Sequence, residues 1–140
     1  MEEIFADTGY LIAIQKESDF LHRRAIELSN ELFGYEKIVT SDLVVIETLN
    51  YFSGYGALAR ESAFTLLSQF SMDPGIEIVC FNADLFNGAG RLYRTAFDRS
   101  WSFTDCSSFV IMRERGMRDA LTYDHHFQQA GFWALMREDS

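Results

Sequence analysis

The sequence predicts an α/β fold: a three-layer α/β/α sandwich around a central parallel sheet of four to five strands. Three observations carry that expectation. Short apolar runs of strand length alternate with longer segments whose apolar residues recur every three or four positions. No repeat, low-complexity tract or linker interrupts the alternation, so residues 1–140 are expected to form a single domain. With 48% hydrophobic and 15% aromatic residues, the chain can bury a substantial core. Strand–helix–strand alternation places strands in parallel, joined by right-handed crossovers, with helices on both faces.

In chain order, Ile4-Phe5-Ala6 reads as the end of a first strand near residues 3–7, with Asp7 at its C-terminal end. Tyr10 to Ile14 suggests a short buried helix. Leu21, Ala25, Leu28 and Leu32 make one apolar face of a helix over 20–33, stopped at Gly34. Lys37 to Thr40 reads as a second strand. Ser41 or Asp42 then caps a helix through Leu43, Ile46, Leu49 and Phe52, with Glu47 near the edge of its apolar face. A carboxylate buried there needs a partner or a metal. Another helix carries Leu58, Ala63, Leu66, Leu67 and Phe70, and Asp73-Pro74-Gly75 is a turn.

Ile76 to Phe81 is expected as a buried strand. Asn82 caps a helix with Leu85, Ala89, Leu92 and Ala96 on one face. Thr104 is expected to cap the next helix, with Asp105 in its first turn, where the dipole and free amides favour an ionised carboxylate. That helix ends at Gly116. Ala120 to Tyr123 is a strand with Asp124 at its end, His125 to Gln129 a short helix, and Phe132 to Leu135 an edge strand.

Net charge is −9 and the isoelectric point about 4.7. That balance opposes phosphate binding by the surface as a whole, yet acids gathered in one cleft attract divalent cations. Cys80 and Cys106 lie far apart without a CxxC, which excludes a disulfide scaffold and a zinc knuckle and suits a reducing, cytoplasmic compartment. No apolar run is long enough to cross a bilayer, and the start of the chain is acidic where a signal peptide is basic.

Ligands of parallel sheets bind beyond the strands' C-terminal ends. Asp7 and Asp124 are expected there, Asp105 opens a helix that can face the same edge, and Glu47 sits one turn into a helix leaving it. Acids from separate segments can thus meet in one cleft. Without a cation they would raise one another's pKa values.

At these residues the chain resembles the PIN domain family, and within it the VapC-type toxin ribonucleases. The matching segments are Phe5-Ala6-Asp7-Thr8-Gly9, Val45-Ile46-Glu47, Phe103-Thr104-Asp105-Cys106, Leu121 to Phe127, and Ala130-Gly131-Phe132. The resemblance implies a PIN-like fold and a metal-dependent endoribonuclease that cleaves single-stranded RNA. It implies Asp7, Glu47, Asp105 and Asp124 as the catalytic cluster for Mg²⁺ or Mn²⁺, with Thr8 and Thr104 as supporting hydroxyls. A homodimer and a cognate antitoxin partner follow from the same resemblance. Gly9 departs from it, standing where a polar residue is frequent in the family.

Because they sit at element ends, Asp7 and Asp105 are the expected direct metal ligands, with Glu47 and Asp124 holding metal waters or a second ion. Arg91, Arg94 and Arg99 can contact RNA phosphates or serve only as solvated helix charges. His125 and His126, being neighbours, are expected to point apart and at most graze the cleft. Cys106 has no histidine placed to activate it and reads as a small buried thiol. Tyr51, Phe52, Tyr55 and Phe64 suit either a dimer surface or the core. Asp7-Thr8-Gly9 also matches the aspartic protease signature, but that chemistry needs two such loops on a β-rich scaffold. A haloacid-type phosphatase needs an acid where Gly9 stands. The alternative in another class is a non-catalytic PIN-like module that binds protein or RNA, its acids accepting a partner's Arg or Lys.

Overall fold

The computed structural model describes residues 2–137. The elements are β1 (Ile4–Ala6), α1 (Thr8–Gln15), α2 (His22–Ser29), a 3-10 turn (Leu32–Gly34), β2 (Ile38–Ser41), α3 (Asp42–Phe52) and α4 (Ala57–Met72). They continue with β3 (Ile76–Val79), α5 (Ala83–Thr95), α6 (Phe103–Glu114), β4 (Asp119–Leu121), α7 (His125–Gln129) and β5 (Trp133–Ala134). The strands form one five-stranded sheet in the order β3-β2-β1-β4-β5, every pair parallel. The chain first steps outward from β1 to β2 and β3, then crosses back to β4 on the other side of β1. The topological switch point, where open parallel sheets bind ligands, therefore lies between β1 and β4. Helices pack as α1 with α2 and α3, α3 with α4, and α5 with α6, which also meets α7. Right-handed crossovers put the first group on one face and the second on the other. No helix among the described residues is long and apolar enough to cross a membrane.

Central position explains why β1 is wholly apolar: Ile4, Phe5 and Ala6 are fully buried. By contrast β3 is an edge strand and only half-buried, not the buried strand expected from its apolar run. It also ends earlier, at Val79, because the Phe81 N–H turns to the Asp42 carboxylate at 3.0 and 3.1 Å. Buried Thr40 ties β2 to β1, its hydroxyl donating to the Ala6 carbonyl at 2.7 Å. The helix expected over 20–33 is split. Its α-helical part stops at Ser29, whose hydroxyl donates back to the Ala25 carbonyl at 2.8 Å, and a separate 3-10 turn follows.

An aromatic stack anchors the elements that carry the candidate site. Phe127 of α7 lies 4.9 Å, edge-on, from Phe109 of α6, and 6.3 Å from Phe5 of β1. Trp101 adds an edge contact to Phe109 at 4.9 Å. All three phenylalanines are fully buried, worth roughly 2–3 kcal/mol each in apolar burial and about 1 kcal/mol more per aromatic pair. The stack fixes β1, α6 and α7 against one another, and with them the residues at their ends.

Candidate active site

Asp7 follows β1 directly, and its backbone N–H donates to the Leu121 carbonyl of β4 at 3.2 Å. That pairing sets Asp7 over the switch point. The buried hydroxyl of Thr122 donates to Asp7 Oδ2 at 2.9 Å and accepts the Asp124 N–H at 3.1 Å. Asp124 caps α7, its Oδ1 accepting the His126 N–H at 2.9 Å. His126 Nδ1 lies 3.1 Å from Asp105 Oδ2 and 3.4 Å from Asp124 Oδ1. On the other flank, the Thr8 hydroxyl donates to Glu47 Oε1 at 2.5 Å. Asp7, Glu47, Asp105 and Asp124 thus stand at one edge of the sheet, linked by Thr8, Thr122 and His126. Glu47 is an exposed residue of α3, so no burial cost falls on its carboxylate.

Two expectations are corrected here. Thr104 does not cap α6; Ser102 does. The Ser102 hydroxyl accepts the Asp105 N–H at 3.0 Å while Asp105 Oδ2 accepts the Ser102 N–H at 3.1 Å. This reciprocal capping box satisfies two free donors, where a Thr104 cap would satisfy one. Thr104 falls inside the first turn, beside Asp105. His126 does not graze the cleft but bridges two of its acids. His125 also approaches, with Nδ1 3.7 Å from Asp124 Oδ1.

The electrostatics follow from burial without a counter-charge. Asp7 has its pKa pushed up to about 7, chiefly because burial penalises the charged form; the Asp105 and Asp124 charges add to it. Donation from the Thr8 backbone and the Thr122 hydroxyl pulls the other way and is outweighed. Asp105 is raised too, again mainly by burial. The helix-start amides expected to favour its ionised form do lower it, through the Ser102 N–H, but burial wins. Mutual repulsion, the cause expected from the sequence, contributes to both and is smaller than burial.

None of the Lys or Arg ion pairs among the described residues reaches Asp7, Glu47, Asp105 or Asp124. The donor set is carboxylate oxygen, with imidazole nitrogen at one side, and it suits a divalent cation. Among the described residues the group of three metal-ligating side chains whose ligand atoms all lie within 4.8 Å of one another is Asp124, His125 and His126; Asp7, Glu47 and Asp105 lie outside it. Arg91, Arg94 and Arg99 are exposed, on α5 and just beyond it, and pair with none of the four acids among the described ion pairs. Arg99 lies 5.8 Å over the Trp101 ring.

A five-stranded parallel sheet with carboxylates at its switch point defines an acid-cluster α/β protein, and the chain belongs to the PIN domain family, whose family model matches residues 4–132. It is homologous to the 23S rRNA-specific endonuclease VapC20 of Mycobacterium tuberculosis, in two strains, with 29% identity over 134 residues, 92% of this chain and 95% of the relative. The crystal structure of that toxin, described as cleaving the sarcin–ricin loop, matches with a TM-score of 0.84 and 25% identity, covering 94% of this chain and 97% of the other. FitAcB from Neisseria gonorrhoeae shares the fold, with a TM-score of 0.68, 16% identity and 91% and 92% coverage.

Sequence reasoning missed Ser102, Thr122 and His126. The signals present were Ser-x-x-Asp ahead of an apolar run for Ser102, and a threonine between the β4 terminus and Asp124 for Thr122. For His126 the signal was the position two residues after an aspartate that opens a helix.

Proposed function

We propose that this chain is a divalent-metal-dependent endoribonuclease that cuts single-stranded or unpaired RNA, the toxin of a toxin–antitoxin pair. The observation that carries this reading is the buried Asp7 carboxylate, at one sheet edge with three other acids and without a Lys or Arg partner among the described residues. Homology to a 23S rRNA-specific endonuclease supports RNA as the substrate class.

Asp7 and Asp105 would hold Mg²⁺ or Mn²⁺, with Asp124 and Glu47 beside them. When bound, such an ion lowers the pKa of a water and stabilises charge developing on phosphate oxygens. Thr122 orients Asp7 and holds the Asp124 backbone. His126, with its proton on Nδ1, donates to Asp105 Oδ2 and fixes that carboxylate's direction. Thr8 occupies Glu47 Oε1, which leaves Oε2 to accept a proton from water at the mouth of the cleft. Arg91, Arg94 and Arg99 would meet the RNA backbone. Exposed Ile46, Tyr55, Leu58 and Phe64 on or near α3 and α4 offer apolar surface for an antitoxin or a second copy in a homodimer. Action in the cytoplasm fits Cys80 and Cys106, which are free thiols and form no disulfide.

The test is RNA cleavage with Mn²⁺ or Mg²⁺ by the native chain and by Asp7→Asn and Asp105→Asn. The expected result is cleavage by the native chain and a fall of about 10³-fold in both variants, the scale of losing a preorganised charge at the reacting centre. Equal cleavage by all three proteins, or none by any, would contradict the assignment.

A further inference from the structure

The flank of α5 that faces the start of α6 carries a row of rings the chemistry above does not use. Phe86 and Tyr93 of α5 lie seven residues apart, which puts them on one stripe of the helix, and Phe97 follows two residues past its end. They are 56%, 53% and 85% exposed. The row is not isolated. Phe103, the first residue of α6 and two residues from Asp105, lies 5.7 Å from Phe86 and 5.8 Å from Tyr93 between ring centroids. Gly90 falls on the same stripe, and a Cβ there would meet nothing within 4 Å, so no side chain of α5 itself stands between Phe86 and Tyr93. On the stripe's outward side stand Arg91 and Arg94, both exposed. No acid pairs with either among the described ion pairs. Residues 83–101 carry a net +1, against −10 for the remainder of the chain.

We infer that this stripe is a base-stacking platform, on which unpaired RNA bases lie against Phe86 and Tyr93 while Arg91 and Arg94 hold the adjoining phosphates, feeding the strand past Phe103 to the acid cluster. The inference rests on the nuclease reading for its substrate class. Aromatic rings beside cations are what sequence-tolerant binding of single-stranded nucleic acid requires, because every base presents a π face. The platform resolves the conflict between an acidic chain and a polyanionic ligand: the locally basic segment is the one that borders the site. From Phe86 to Tyr93 the helix rises about 10 Å, room for about three bases at roughly 3.4 Å per stacked nucleotide.

The test uses the full chain and a short single-stranded oligoribonucleotide carrying the fluorescent adenine analogue aminopurine. Binding is read as quenching in the Asp7→Asn background, so that no cleavage intervenes, and KM and kcat are read in the native background. The expected result is quenching by the parent protein and about a hundredfold weaker binding for Phe86→Ala/Tyr93→Ala, roughly tenfold per lost ring. KM should rise by a similar factor with kcat little changed, and Phe86→Trp/Tyr93→Trp should restore both. The thermal midpoint of these exposed-site variants should match the parent's. Undiminished quenching and KM in the alanine variant, or its conversion from dimer to monomer with quenching intact, would overturn the platform. Quenching without any cleavage by the native chain would support the platform and overturn the nuclease reading instead; cleavage without quenching would do the reverse.

Discussion

At the N-terminal end of the sheet, Arg115 donates to Glu3 at 2.8 and 2.9 Å and to Glu77 at 2.9 Å, and Lys37 reaches Glu77 at 3.3 Å. At the C-terminal end the partners of Asp7 and Asp105 among the described residues are neutral donors and one imidazole. The pKa shifts run in opposite directions for that reason. Glu3 and Glu77 are held below the usual carboxylate value, first by hydrogen bonds from Arg115, while Asp7 and Asp105 are pushed above it, first by burial. Acids at one end are satisfied from within the chain. Those at the other have no such partner among the described residues, and a sheet edge short of positive charge is where a bound cation has the most to offer.

The largest expected effect comes from neutralising the unsatisfied end. Asp7 titrates near pH 7 in the folded chain, against about 3.9 unfolded. Its contribution to stability is therefore fully present below about pH 4 and is lost as pH rises through 7. Without divalent metal the native chain should lose on the order of 4 kcal/mol across that window, and Asp7→Asn should flatten the loss. Chemical denaturation at stepped pH in chelator reads this directly; a native profile flat from pH 4 to 8 would break the contrast between the two ends.

Arg115→Ala attacks the satisfied end and should act on the opposite limb. Lowered pKa values for Glu3 and Glu77 mean stability present above about pH 4.5 and lost below it as those acids protonate. The variant should lose roughly 1–2 kcal/mol at neutral pH, a partly exposed charged hydrogen-bond network, and its acid limb should become shallower. RNA cleavage should stay unchanged. A loss of cleavage from Arg115→Ala at matched stability would show that the two ends are coupled.

The sheet-and-helix order was legible because apolar spacing is set by burial, and burial dominates this fold. Asn82 caps α5 by accepting the Leu85 N–H at 2.8 Å, and Ser41 caps α3 by accepting the Val44 N–H at 3.2 Å; both rest on side-chain chemistry local to the chain. The gathering of Asp7, Glu47, Asp105 and Asp124 at one edge was also legible, from element ends plus the rule that parallel strands point one way. What sequence spacing could not supply was contact between distant segments. Ser102 competes with Thr104 for the same helix start, and only the reciprocal bond with Asp105 decides it. His126 lies next to His125 in sequence yet turns inward, because Asp124 caps α7 and holds the His126 N–H. The ring row on α5 gains its meaning from Phe103, which belongs to a different helix. The pKa directions were half legible: repulsion among acids was foreseeable, while the larger effect, burial of Asp7, depended on β1 being the central strand.

Thermal melting at pH 8 during a titration with Mn²⁺ or Mg²⁺, for the native chain and Asp7→Asn side by side, tests the acid cluster most directly. The midpoint of the native chain should climb with metal, by on the order of 8 °C at a hundred times the dissociation constant, while Asp7→Asn should start higher and climb little. A native midpoint indifferent to both metals, or an equal climb in the two proteins, would contradict a cation site built on Asp7.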